Sequence, residues 1–182
     1  DFNLPVLSSP MDSVTGIEMA EALTDLGCLG ILNRFNMTLD EFAARQNKSQ
    51  KVKAVSISLA ADEESIAKLT EQVDIICIDT ANANNLSVLK KCEEVKNKFN
   101  VKVIVGNIAH GKSLKDLVNA GADAVRIGIG GGSVCTTSVQ TGIGIGQVSS
   151  LLNVLSVRDN EKLNIELIAD GGIKNPGDVA KA

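Results

Sequence analysis

Short runs of β-branched and aliphatic residues return along this chain at intervals of about 21 to 27 residues, each followed by a stretch with helical spacing. The strands read in this way are Pro5–Ser9, Leu29–Leu32, Val52–Ser58, Asp74–Asp79, Val101–Gly106, Ala124–Gly128 and Glu166–Asp170. Several are apolar without interruption, Ile75-Ile76-Cys77-Ile78 and Val103-Ile104-Val105 among them. A strand with no polar face is buried on both sides, as parallel strands covered by helices are. Between the strands, Glu63–Gln72 sets Ile66 and Leu69 at helical spacing, and Leu86–Lys98 does the same with Leu89, Cys92 and Val95. Asp62 and Ser87 are the capping residues expected for these two helices, and Gly27 and Gly121 mark helix ends. Strict alternation of strand and helix implies right-handed crossovers and an all-parallel sheet, so the class is α/β.

A near-constant repeat suits a (β/α)8 TIM barrel, although a doubly wound sheet is also compatible with it. Seven βα units can be counted. The expectation is therefore a single (β/α) barrel domain over residues 1–182, incomplete at both ends, with the eighth unit missing. At 182 residues, with 44% hydrophobic and 22% charged side chains, such a chain can bury a core. Its 18 basic and 22 acidic residues form no basic patch, which excludes an electrostatic nucleic-acid partner. No apolar run reaches the roughly 18 residues that a membrane span needs, and no signal-peptide pattern opens the chain. Cys28, Cys77, Cys92 and Cys135 lie far apart without a CxxC pair and read as thiols of a reducing, cytoplasmic setting. A single histidine, His110, excludes a His-rich metal site.

One interval breaks the period. The sixth and seventh strands start about 42 residues apart, and barrel enzymes carry their chemistry on loops at the C-terminal ends of strands. Function is therefore sought in residues 128–147. Gly128, Gly130, Gly131 and Gly132 run into Ser133-Val134-Cys135-Thr136-Thr137. Glycines allow close backbone approach and suit a nest around an ion or a phosphate. A thiol among hydroxyls and amides can be activated as a nucleophile. The alternative is a surface loop with an incidental cysteine.

A second glycine pair follows Asp170 at the end of the seventh strand. Asp170 could hold a sugar hydroxyl and Gly171-Gly172 a phosphate, or the segment is simply a tight turn. Ser8-Ser9-Pro10-Met11-Asp12 ends the first strand at the same face, or forms a capped turn. Asp79, at the C-terminal end of its strand, could bind a ribose; Asp74, at the other end, reads as structural. Gly106–Ser113 satisfies GxxxxGK[ST] between a strand and a helix. It sits in the fifth unit of a regular series, however, and no later strand offers a convincing Mg²⁺ partner apart from the one ending at Asp170. His110 is read there as a solvent-facing turn residue.

Taken in order, Ser8–Val14 (SSPMDSV), Gly106-Asn107, Gly121–Thr137 (GADAVRIGIGGGSVCTT), Thr141–Gly144 (TGIG) and Ala169–Ile173 (ADGGI) resemble the IMP dehydrogenase/GMP reductase family. The likeness runs through nearly the whole chain. It implies a homotetrameric (β/α)8 barrel enzyme that binds a purine nucleotide and a nicotinamide cofactor, with no nucleic-acid or membrane partner. By resemblance, Cys135 is the nucleophile that attacks purine C2 to form a covalent thioimidate, and Thr137 assists proton transfer. The carbonyls of Gly130, Gly132 and Cys135 would hold a monovalent cation, K⁺. Ser133, Gly171 and Gly172 would meet the nucleotide phosphate and Asp170 its ribose hydroxyls. Ser9 and Met11 would line the nucleotide pocket. Asp79, Thr80, Ala81 and Asn107 would serve the nicotinamide cofactor. The same resemblance removes the P-loop reading, because Gly106-Asn107 looks like the family's strand end.

In IMP dehydrogenases a regulatory domain commonly interrupts the barrel between strands two and three. Here Phe42–Val52 passes directly into the third strand. That, with Asp79-Thr80-Ala81-Asn82, Cys135-Thr136-Thr137 and Pro176–Ala182, looks like the GMP reductase branch. The implied reaction is the NADPH-dependent reductive deamination of GMP to IMP and ammonia. Ser8-Ser9-Pro10-Met11 looks more like the dehydrogenase, and Arg126 stands where the reductase often has Lys. An IMP dehydrogenase, converting IMP to XMP with NAD, is the alternative of the same class. A non-catalytic purine-nucleotide-binding barrel, or an inactive truncated relative, is the alternative of another class.

Overall fold

The computed structural model describes residues 3–35, 37–132, 139–140, 142 and 144–182. Its elements, in chain order, are β1 (Leu7–Ser8), α1 (Ile17–Asp25), β2 (Leu29–Leu32), α2 (Leu39–Ser49), β3 (Ala54–Ile57), α3 (Glu63–Thr70), β4 (Ile75–Asp79), α4 (Leu86–Lys98) and β5 (Lys102–Ile108). A 3-10 turn (Gly111–Ser113), α5 (Leu114–Asn119), β6 (Ala124–Ile127), α6 (Gln147–Asn160), β7 (Glu166–Ala169) and α7 (Pro176–Lys181) complete the series. Strand order follows chain order, β1 to β7. A doubly wound sheet reverses its strand order at a switch point, so this arrangement is that of a (β/α)8 barrel of which seven units are present. The chain divides into two compact units, residues 1–79 with 95–103, and residues 80–94 with 104–182.

In the first unit β1, β2, β3 and β4 pair parallel in succession. Every residue of β2 and β3 is buried, Ser56 of β3 included. Helix α1 lies so close on β2 that a Cβ on Gly30 would stand 2.4 Å from the Ala20 Cα. Only glycine permits that approach. Gln46 of α2, buried among these elements, donates from Nε2 to the carbonyls of Val52 (2.6 Å) and Gln72 (2.7 Å). Strand β1 is shorter than the sequence predicts, beginning at Leu7, since Pro5 has no N–H to give a ladder.

The helix starts follow from local chemistry. Asp62 Oδ1 accepts the Ser65 N–H at 2.8 Å and caps α3, as expected. Thr38 and Glu41 close a reciprocal capping box on α2. The expected cap at Ser87 is displaced: Ser87 lies inside α4, and Asn85 Oδ1 accepts the Val88 N–H at 3.1 Å instead. Gly27 and Gly121 take positive φ just beyond α1 and α5. Cys28, Cys77 and Cys92 are buried in the core.

In the second unit β5, β6 and β7 pair parallel. Strand β5 runs on past its predicted end to Ile108, with a shift of register between Gly106 and Ile108. The first glycine of the GxxxxGK[ST] pattern is therefore inside a strand. The second, Gly111, commits its N–H to Asn153 Oδ1 on α6 (2.8 Å). His110 is exposed and its Nδ1 accepts the Lys112 N–H (3.1 Å). Among the described residues, no helix is long and apolar enough to cross a membrane.

Candidate active site

The C-terminal ends of β5, β6 and β7 converge in the second unit on one carboxylate. Asp170 follows β7 directly, and its N–H donates to the Ile127 carbonyl at the end of β6 (2.9 Å). Its Oδ2 accepts from Arg126 Nη2 at 2.6 Å and from Asn107 Nδ2 at 2.7 Å. Arg126 projects from β6 and its side chain is 7% exposed; that of Asp170 is 16% exposed. A charge-assisted bond at this burial fixes the orientation of the carboxylate. Asn107 Nδ2 also donates to the Gly128 carbonyl (2.7 Å), so one amide ties β5 to both glycine segments.

These two segments lie against each other. A Cβ on Gly128, at φ +141°, would meet the Asp170 carbonyl at 2.2 Å. One on Gly171 would stand 3.2 Å from the Gly132 nitrogen, and one on Gly172 3.3 Å from the Gly131 carbonyl oxygen. Side chains are excluded here by backbone on backbone, which is what a tightly folded polar nest requires. Gln147, the first residue of α6, donates from Nε2 to the Ile127 carbonyl (2.7 Å). Its Oε1 is buried and finds no hydrogen-bond partner among the described residues.

Thr80 and Asn107 are joined as well. The Thr80 N–H and Oγ1–H donate to the Gly106 carbonyl (2.9 and 2.8 Å), and the Asn107 N–H donates to the Thr80 carbonyl (2.9 Å). The Asn107 carbonyl accepts the Ala83 N–H (2.8 Å), while Ala81 is exposed beside this ladder.

In the first unit, the turn after β1 carries Ser9 and the exposed Met11. It is held by Thr15, fully buried, whose Oγ1 lies 2.8 Å from Ser8 Oγ and 2.6 Å from the Ser9 carbonyl. Asn33 Nδ2 donates to the Thr15 carbonyl (2.9 Å). Asp79 is paired with Arg34 at 2.7 Å, and the Arg34 guanidinium lies 4.3 Å from the centroid of the Phe35 ring. Asp74 sits at the other end of β4 on the surface, 3.7 Å from Lys53 Nζ.

The structure thus brings together Asn107, Gly132, Asp170, Gly171 and Gly172, with Thr80 linked through Asn107; Gly130 takes a positive φ two residues before Gly132. Ser133, Cys135 and Thr137 lie outside the described residues. Arg126 and Gln147 are the residues that sequence reasoning missed. A lone arginine inside the apolar run Ala124–Ile127 was the available signal for the first, because a buried charge needs a partner.

A family model described as the IMP dehydrogenase / GMP reductase domain matches residues 1–182. The GMP reductase of Aliivibrio fischeri (strain MJ11) is 36% identical over 187 residues, which cover 98% of this chain and 53% of that protein. The inosine-5'-monophosphate dehydrogenase of Cryptosporidium parvum is 30% identical over 226 residues, covering 100% of this chain and 56% of that protein. The corresponding dehydrogenase of Methanocaldococcus jannaschii is 41% identical over 143 residues, 77% of this chain and 28% of its own length. The chain spans about half the length of the first two relatives and less of the third.

Proposed function

From the premise that this chain belongs to the IMP dehydrogenase/GMP reductase family, we propose that it is the larger part of a GMP reductase barrel. The reaction would be GMP, NADPH and two protons going to IMP, ammonium and NADP⁺. The observation that supports a nucleotide site of this family, in either branch, is the clasp on Asp170. A carboxylate fixed by Arg126 and Asn107 stands against Gly128–Gly132, the segment that leads straight into Cys135. An anchored ribose and phosphate would present the purine to the thiol in a single orientation, which lowers the entropic part of the barrier.

The Cys135 thiolate adds to C2 of GMP, and the adduct expels the 2-amino group as ammonia with a proton delivered by way of Thr137. A thioimidate on Cys135 remains. NADPH, when bound, supplies the hydride that reduces C2. Breaking the C2–S bond then returns the thiolate and releases IMP. Asp79, Thr80, Ala81 and Asn107 would line the nicotinamide side, Ser9 and Met11 the nucleotide side. Ser133, Gly171 and Gly172 would take the phosphate.

Gly130 and Gly132, with Cys135, would hold K⁺ by their carbonyls. The fit is supported by a side-chain-free backbone in this segment and by the orphaned amide oxygen of Gln147 beside it. The cation would shape the loop that carries the thiol. No bond of the nucleotide is broken by it.

Two observations favour the reductase branch. Helix α2 reaches β3 through Gln50–Lys53 alone. The match to the C. parvum dehydrogenase is stretched over 226 residues, whereas 187 suffice for the A. fischeri reductase. The dehydrogenase reading is favoured by Arg126 in β6 and by the 41% identity to the M. jannaschii enzyme. Intact-mass spectrometry of the full-length protein mixed with GMP tests the covalent step. A mass gain equal to GMP less ammonia, mapped to Cys135 and absent from Cys135→Ala, is expected. Full turnover by Cys135→Ala would eliminate the thioimidate for both enzymes.

A further inference from the structure

An amide oxygen that is buried and unsatisfied beside a binding loop calls for a partner that arrives with the ligand. Gln147 Oε1 is such an atom. Its own Nε2 anchors the side chain to the last carbonyl of β6, at Ile127, so the oxygen cannot swing away to water. It faces the glycine segment: a Cβ on Gly128 would lie 2.5 Å from Oε1, and one on Gly131 3.4 Å from it. Of the two glycines it lies against, Gly128 already gives its N–H to the Ile108 carbonyl (2.8 Å), whereas Gly131 follows Gly130 in a peptide flanked on both sides by glycine and so free to turn either way. In a trans peptide the N–H and the C=O point in opposite directions. Turning the Gly131 N–H toward Gln147 therefore turns the Gly130 carbonyl outward, on the side away from Gln147.

We propose that Gln147 is a positioning residue for the cation: its Oε1 accepts the Gly131 N–H in the loaded protein and thereby presents the Gly130 carbonyl to K⁺. This rests on the K⁺ reading given above. Gln147 touches neither cation nor nucleotide; it selects one of two peptide orientations, and the cation binds the one selected.

The melting temperature of the full-length protein, followed against KCl at constant ionic strength with choline chloride, tests the proposal. In the wild type it should rise and saturate with K⁺. Gln147→Met, of similar length but without the acceptor, should need at least tenfold more K⁺ for half the rise. An unchanged K⁺ response in Gln147→Met would overturn the proposal. Should that variant not fold, hydrogen exchange at the Gly131 amide of the wild type decides: slower exchange on adding K⁺ supports it, unchanged exchange overturns it. A wild type that oxidises NADPH with GMP yet shows no K⁺ response sinks this inference alone. A K⁺ response that depends on Gln147, without any turnover, sinks the GMP reductase reading alone.

Discussion

Arg126 and Asp170 depend on each other in a way that a pair on the surface would not. Arg126 is the one charged residue that is buried among the described residues, and its partner is 44 positions away. Removing one member of a buried ion pair leaves the other charged and desolvated, at a typical cost of about 3–5 kcal/mol. Arg126→Met is therefore expected to lower the unfolding free energy by about 3 kcal/mol or more in urea at neutral pH. Arg126→Lys, which keeps a cation but gives up the planar fork, should cost markedly less. Equal stability of Arg126→Met and the wild type would mean that the pair does not hold Asp170. At this scale the sequence was half legible. Asp170 and both glycine segments could be placed at strand ends, because Gly pairs after apolar runs announce backbone-only contacts. Arg126 and Gln147 could not be given partners, because a bond between elements 20 and 44 residues apart leaves no local mark.

The elements were more legible than their ends. Asp62 announces α3 as a capping residue, and the structure puts the Ser65 N–H on its carboxylate. That hydrogen bond, with the Ser65 hydroxyl, holds the Asp62 carboxyl below the ordinary aspartate range. A depressed folded pKa means a contribution that is present above the unfolded pKa and lost as the pH falls through the folded one. Asp62→Asn keeps a capping oxygen but has no proton to take up. The stability difference between wild type and Asp62→Asn should thus be constant near neutral pH and shrink on acidification below the ordinary aspartate range. Urea titrations at a series of pH values check this, and a difference that widens in acid would contradict it. Asn85 displaced Ser87 as the cap of α4 because it stands immediately before Leu86, where its side chain reaches the Val88 N–H. Strand β5 outran its predicted end because pairing resumes at Ile108 after a shift of register, and a Gly-Asn pair reads locally as a turn.

At the scale of the molecule, the period of the apolar runs carried the fold. Parallel strands in chain order leave few other arrangements, and the one stretched interval pointed to the loop that follows β6. The branch within the family was less legible, since α2 entering β3 directly speaks for the reductase while Arg126 and Ser8-Ser9-Pro10-Met11 speak for the dehydrogenase. The chemistry of the two enzymes runs in opposite redox directions, and a nicotinamide cofactor reports direction by its absorbance. The full-length gene product should be followed at ~340 nm, where reduced nicotinamides absorb, in K⁺ buffer with GMP and NADPH, and separately with IMP and NAD⁺. A falling signal with ammonia release is expected in the first mixture, and none of that loss in Cys135→Ala. A steady signal in the first mixture with a rising one in the second would contradict the reductase reading and assign the chain to the dehydrogenase branch.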